Sequence, residues 1–166
     1  IPEDFDFERG YEQLVHFLRD IVAPVCEKYS ITVVTEPLRS AECNIINTVR
    51  QGAELSDRVN RECISALADL YHMYAENEKP SDLKDLTGKL RHSHIAEVKK
   101  RSYPKKSDSY DYSEFIRVME NAGCERCSVE AGCDDFSPFN WQKNSLIPEF
   151  KYNLTHSLVK LINSKL

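Results

Sequence analysis

Apolar positions along the chain switch repeatedly between helical spacing and short extended runs. Tyr11, Leu14, Val15, Leu18, Val22 and Val25 recur every three or four residues, which predicts a first helix with one buried stripe. Ile31 to Thr35 is a β-branched strand, closed by Glu36-Pro37 because proline donates no ladder hydrogen bond and biases its predecessor toward extended backbone. Ile45, Ile46, Val49, Ala53 and Val59 return to helical spacing, with Gly52 a tolerated weak point and an end near Asn60. Ile64 to Leu70, apolar apart from Ser65 and Asp69, reads as a buried strand, and Tyr71-His72-Met73-Tyr74 extends it into a loop that Pro80 and Ser81 close. A short helix around Leu83 to Leu86, with Gly88 as its C-cap, precedes a third strand from Leu90 to Ala96. Residues 97–106 are too polar, and too interrupted by Pro104, for a core element and read as a long loop. Tyr112 to Asn121 predicts a helix capped by Asp111 or Ser113 and ended by Gly123, Cys127 to Ala131 a fourth strand, and Leu146 to Leu166 a closing helix.

A helix followed by four strand–helix units implies an α/β fold with parallel strands and right-handed crossovers. A complete eight-fold barrel takes ~250 residues and rarely fewer than ~200, so a chain of 166 residues has room for about half of a TIM barrel. Four strands cannot close a barrel, so a preceding half, a second copy or some other cover for the sheet edges is expected. The chain opens on Ile-Pro-Glu-Asp rather than on Met, and residues 1–166 read as a single domain, a fragment of a full (β/α)8 barrel.

Composition narrows the partners. With 22 Lys+Arg against 27 Asp+Glu the net charge is -5, which argues against a broad nucleic-acid footprint. No apolar stretch approaches the ~20 residues needed to cross a bilayer and the first residues lack a signal-peptide pattern, so a cytoplasmic protein without membrane contact is expected. The 6 cysteines then read as reduced thiols. Cys124-Glu-Arg-Cys127 with Cys133 falls short of the roughly four ligands of a structural zinc site.

Four side chains able to bind metal sit one per strand, each at or near its carboxyl end: Glu36, Asp69, His94 and Glu130. In parallel α/β folds that end is where ligands bind, so three carboxylates and one imidazole are expected to converge. The set suits a hard or borderline divalent ion, Mn²⁺ first and Mg²⁺, Co²⁺ or Zn²⁺ next, with positions left for substrate oxygens. A metal holding two adjacent sugar oxygens polarises the carbonyl and stabilises the enediolate formed when the neighbouring C–H loses its proton. Glu36 and Glu130, from the first and last strands, could flank the substrate. Proton removal by one and return by the other would invert the carbon.

Thr35-Glu36-Pro37-Leu38, Asp69-Leu70-Tyr71-His72-Met73, His92-Ser93-His94-Ile95-Ala96-Glu97 through Arg101, and Ser128-Val129-Glu130-Ala131-Gly132 together resemble the sugar phosphate isomerase/epimerase family of xylose isomerase-like TIM barrels. Ketose 3-epimerases of the tagatose and psicose type are the nearest characterised members. The resemblance covers most of the chain and corresponds to the second half of that barrel. It implies a metal held by Glu36, Asp69, His94 and Glu130, with Glu36 and Glu130 exchanging the substrate proton. Glu42, His72 and Arg101 are implied to touch the hydroxyls of a small sugar substrate. Leu38-Arg39-Ser40 matches only part of the Asn-Arg pattern that many of these epimerases carry, and the residues the family draws from its first half are not in this chain. His92 is expected to point away from His94 and is left out of the site.

An inosose dehydratase or a hydroxypyruvate-type isomerase would share the enolising step, and a half-barrel with a relic site would bind metal weakly. An apurinic endonuclease on the same fold would need three zinc ions, more histidines than the 5 present and a surface suited to nucleic acid.

Overall fold

A computed structural model of the chain describes residues 1–105 and 108–132. The helix expected over 146–166 and Cys133 lie outside the described residues.

One helical rod opens the chain, built from α1 (Phe7–His16), a π-helical stretch (Phe17–Val22) and α2 (Ala23–Tyr29). The π-helical stretch has a local cause. Pro24 lies in the first turn of α2 and cannot donate to the carbonyl four residues back, and the Ala23 N–H reaches the Leu18 carbonyl instead. Ser30, in the left-handed region at φ 53, ends the rod.

Four strands follow: β1 (Val33–Thr35), β2 (Ile64–Asp69), β3 (Leu90–Ile95) and β4 (Cys127–Val129). They lie in sequence order in one sheet and every neighbouring pair is parallel. The connections carry α3 (Val49–Val59), α4 (Leu70–Ala75) with a 3₁₀ turn (Pro80–Leu83), and α5 (Ser113–Asn121). Side chains alternate across a strand, so Ala66, Ala68 and Ile95 face the helices while Asp69 and His94 face the other way. On the helical side Val49, Ala53, Leu70, Met73, Phe115, Val118 and Met119 complete one core cluster. A second cluster joins Val15, Leu18 and Ala23 of the rod to Leu55, Val59 and Ile64. Alanines on β2 let α3 come close: a Cβ added at Gly52 would lie 3.0 Å from Pro37 Cγ and 3.4 Å from Ala66 Cβ.

The expected parallel α/β half-barrel is present, with local corrections. Tyr71-His72-Met73-Tyr74 is no loop but the body of α4, which starts directly after β2 because Asp69 caps it, accepting from Tyr71 and His72 N–H. Ile45 and Ile46 precede α3, whose start is fixed by a capping box between Thr48 and Gln51. The short helix expected around Leu83 to Leu86 is instead the 3₁₀ turn over Pro80–Leu83, β1 begins at Val33, β3 ends at Ile95 and β4 ends at Val129. At α5, Asp111 accepts from the Ser113 N–H at 2.9 Å, and Gly123 follows at φ 79.

Candidate metal centre

Each strand delivers one acidic or imidazole side chain at its carboxyl end. Glu36 follows the last residue of β1, Asp69 ends β2, His94 is next to last in β3, and Glu130 follows β4, with its N–H bonded to the Ile95 carbonyl at 3.2 Å. Register aligns Asp69 with His94 and His94 with Ser128. One ligand atom from each of the four lies within 4.8 Å of all the others. Strands β1 and β4 are three spacings apart, roughly 14 Å in a flat sheet. Their carboxylates meet through the reach of two long side chains across a partial barrel.

His94 Nδ1 stands at the centre, 3.0 Å from Glu36 Oε1, 2.9 Å from Glu130 Oε2 and 3.5 Å from Asp69 Oδ2. One ring nitrogen carries at most one proton, so it cannot satisfy three carboxylates. Only the Glu36 contact has hydrogen-bond geometry. Among the described residues Asp69 Oδ2 and Glu130 Oε2 are buried without a hydrogen-bond partner, although both lie close to His94 Nδ1. Buried anionic oxygens aimed at one another are costly unless a cation sits among them. A divalent ion holds ligands at roughly 2.0–2.6 Å, which puts ligand atoms about 3–5 Å apart, so this donor set fits such an ion.

The electrostatics agree. Burial disfavours a charged His94, but the Asp69, Glu36 and Glu130 carboxylates around Nδ1 outweigh it and push its pKa up to about 10. Burial and then the negative Glu36 raise the Glu130 carboxyl, against the pull of Arg101 and His94. Burial also acts to raise Asp69, yet the adjacent His94 and the hydrogen bond from the His72 N–H leave it below the ordinary carboxylate range.

Around the four stand the other residues singled out from sequence. Arg101 reaches Glu130 Oε2 at 3.0 Å, from a backbone in the left-handed region at φ 55, and its carbonyl accepts from the Gly132 N–H. His72 is buried. Its Nδ1 accepts from the Arg39 N–H at 3.2 Å, while its Nε2 has no partner among the described residues. Glu42 is engaged by Arg39, Nε to Oε1 at 2.5 Å, and does not join the convergent four. The expectation for His92 is wrong: residues two apart on a strand share a face, its ring centroid is 5.2 Å from that of His94, and its Nε2 lies 2.9 Å from Ser128 Oγ.

Arg39 and Tyr71 were not singled out. The Tyr71 ring has the Arg39 and Arg101 guanidinium carbons 5.4 and 5.1 Å from its centroid, a cation–π support for both arginines beside the site. The available signal was position, since Tyr71 comes two residues after Asp69 and Arg39 three after Glu36. Among the described residues the four ligands form the one group with metal-binding geometry, and Cys124 and Cys127 belong to no such group.

The model of the xylose isomerase-like TIM barrel family matches residues 2–148. No match is found among curated proteins. Among solved structures, the chain is similar to an AP endonuclease, family 2, from Brucella melitensis, with TM-score 0.69 and 24% identity, covering 80% of this chain and 53% of that one. It is also similar to a D-psicose 3-epimerase with D-tagatose from Clostridium cellulolyticum, with TM-score 0.68 and 23% identity over 76% and 43% of the two chains. A third is 3-keto-D-glucoside 4-epimerase from E. coli, with TM-score 0.72 and 20% identity over 88% and 55%. The chain thus spans about half the length of these structures. At these identities the structures attest the fold alone, and the family match over residues 2–148 is what places the chain: it belongs to the xylose isomerase-like TIM barrel family.

Proposed function

We propose that the protein is a divalent-metal-dependent isomerase or epimerase acting on a ketose or related small sugar, the chain supplying the second half of the barrel. The observation that carries this reading is the convergence of Glu36, Asp69, His94 and Glu130 within 4.8 Å at the carboxyl ends of four successive strands. These four would hold the ion, with Mn²⁺ the first candidate and Mg²⁺, Co²⁺ or Zn²⁺ the alternatives. When bound, it would polarise the sugar carbonyl and lower the cost of negative charge on its oxygen. Glu36 and Glu130 take and return the proton next to that carbonyl, on opposite sides of the sugar, which epimerises the carbon. The raised Glu130 carboxyl suits proton uptake. Arg101 holds Glu130 in place, while His72 Nε2–H is a donor for a sugar hydroxyl. Glu42 reaches the substrate only by releasing Arg39.

The strands that wall the rest of such a site would come from the remaining half of the barrel or from a second copy of the chain. The nuclease reading is the weaker one. It calls for several zinc ions, whereas the described residues offer one convergent group and the whole chain carries a net charge of -5. No helix among the described residues is long and apolar enough to cross a membrane, and a cytoplasmic enzyme of sugar metabolism accords with that.

The test is solvent exchange at carbon 3 of a ketohexose in D₂O with Mn²⁺-loaded protein. Deuterium incorporation with a 3-epimeric product is expected. Loss of water would shift the reading to a dehydratase, and no incorporation with any ketose or hydroxypyruvate would leave a non-catalytic half-barrel. Glu130→Gln should retain part of the Mn²⁺ affinity yet lose exchange by at least about 100-fold; an unchanged rate would remove Glu130 from the mechanism.

A further inference from the structure

We propose that Glu76 is a positioning residue of this site: through Ser40 it holds the loop after β1 so that the Arg39 N–H fixes the His72 ring, with Nε2–H left as the donor for a sugar hydroxyl. The hydroxyl part rests on the ketose reading above, whereas the positioning part stands without it.

His72 and Glu76 are four residues apart at α4 and its C-cap, and so lie on one face. That face presents two acceptors to two consecutive amides of the loop. Arg39 N–H donates to His72 Nδ1 at 3.2 Å, and Ser40 N–H donates to Glu76 Oε1 at 2.5 Å. Ser40 Oγ adds a second bond to the same oxygen at 2.8 Å. A ring nitrogen that accepts carries no proton, so the neutral His72 ring keeps its hydrogen on Nε2. That Nε2 is buried and has no partner among the described residues. A buried N–H without an acceptor is unfavourable, which suits the position to a ligand oxygen. Glu76 contacts none of the four convergent ligands. Its hydrogen-bonded route to the site runs through Ser40 to the Arg39 N–H, and the Gln variant separates that route from the charge of Glu76 beside His72.

The rest of the loop is anchored independently. Asn47 Nδ2 donates to the Leu38 and Cys43 carbonyls, at 2.7 Å each. Changes at Glu76 therefore reorient two amides rather than release the whole loop.

The experiment compares the full chain with Glu76→Ala, Glu76→Gln and the milder Ser40→Ala. Readouts are the ¹⁵N shifts of the His72 ring, the exchange rate of the Arg39 amide proton, Mn²⁺ affinity, and KM for a ketohexose. In Glu76→Ala the His72 ring should become a mixture of tautomers, and Arg39 amide exchange should rise about 3- to 10-fold, the effect of one lost hydrogen bond. Ser40→Ala should show the same shifts in smaller degree, and serves alone if Glu76→Ala does not fold. Glu76→Gln should behave as the unaltered chain, since its amide oxygen accepts the same bonds. KM should rise in Glu76→Ala with Mn²⁺ affinity unchanged. The proposal is overturned if Glu76→Ala leaves the tautomer and the Arg39 amide unaltered, or if Glu76→Gln matches Glu76→Ala, since that would assign the effect to charge. If the ring and amide results hold but no variant exchanges ketose protons, the sugar reading fails and the positioning role stands.

Discussion

Asp69 has two tasks, one on each carboxylate oxygen. Oδ1 accepts from the Tyr71 and His72 N–H groups and starts α4, while Oδ2 faces His94 in the convergent group proposed to hold the metal. Asparagine caps helices about as well as aspartate. Asp69→Asn should therefore keep the circular dichroism of the parent while weakening Mn²⁺ binding by more than the roughly 10–100-fold cost of altering a residue that only orients a ligand; calorimetric titration measures it. His94 supplies the pH dependence. Its pKa of about 10 in the metal-free protein means that it is an imidazolium at neutral pH and must lose a proton to bind metal. Mn²⁺ affinity should rise about tenfold per pH unit between pH 6 and pH 8. Metal-free stability runs the other way, because the folded-state pKa lies above the unfolded value of ~6.5. The contribution of His94 is complete below that value and is lost as pH rises through about 10, which denaturant titrations across that range will read.

Legibility from sequence was greatest for the strands, whose apolar or β-branched runs end in a charged or imidazole side chain. It failed where one residue served two elements. Nothing separates β2 from α4, so the cap that would announce a helix is the same Asp69 that reads as a ligand, and a helix of six residues has too few turns to display a period. Ile45 and Ile46 fit helical spacing with Val49, yet the Thr48–Gln51 capping box marks the true start. Distance relations such as Arg39 beside His72 come from packing of the β1–α3 loop on α4, which no local pattern encodes. The contact of α3 with that loop gives a further test. Gly52→Ala would gain up to about 1 kcal/mol of helix propensity, but its Cβ must displace Pro37, the residue after Glu36. Mn²⁺ affinity should fall even where the thermal midpoint barely moves, and unchanged affinity would show that Glu36 tolerates the shift.

At the scale of the whole molecule, β1 and β4 bound the sheet and each has one strand neighbour among the described residues. The two strands farthest apart lead into Glu36 and Glu130, and those side chains meet across the curl of the partial barrel. A cation held there works as a drawstring across an open bowl. Without it, three negative charges push the rim apart, opposed by the protonated His94 and by Arg101. Chelation should then quicken amide exchange at residues 33–35 and 127–129 more than in α1, and equal protection with and without Mn²⁺ would mean that packing alone sets the curl. The ion would govern shape as well as chemistry, since the width of the bowl determines how well it fits whatever completes the ring.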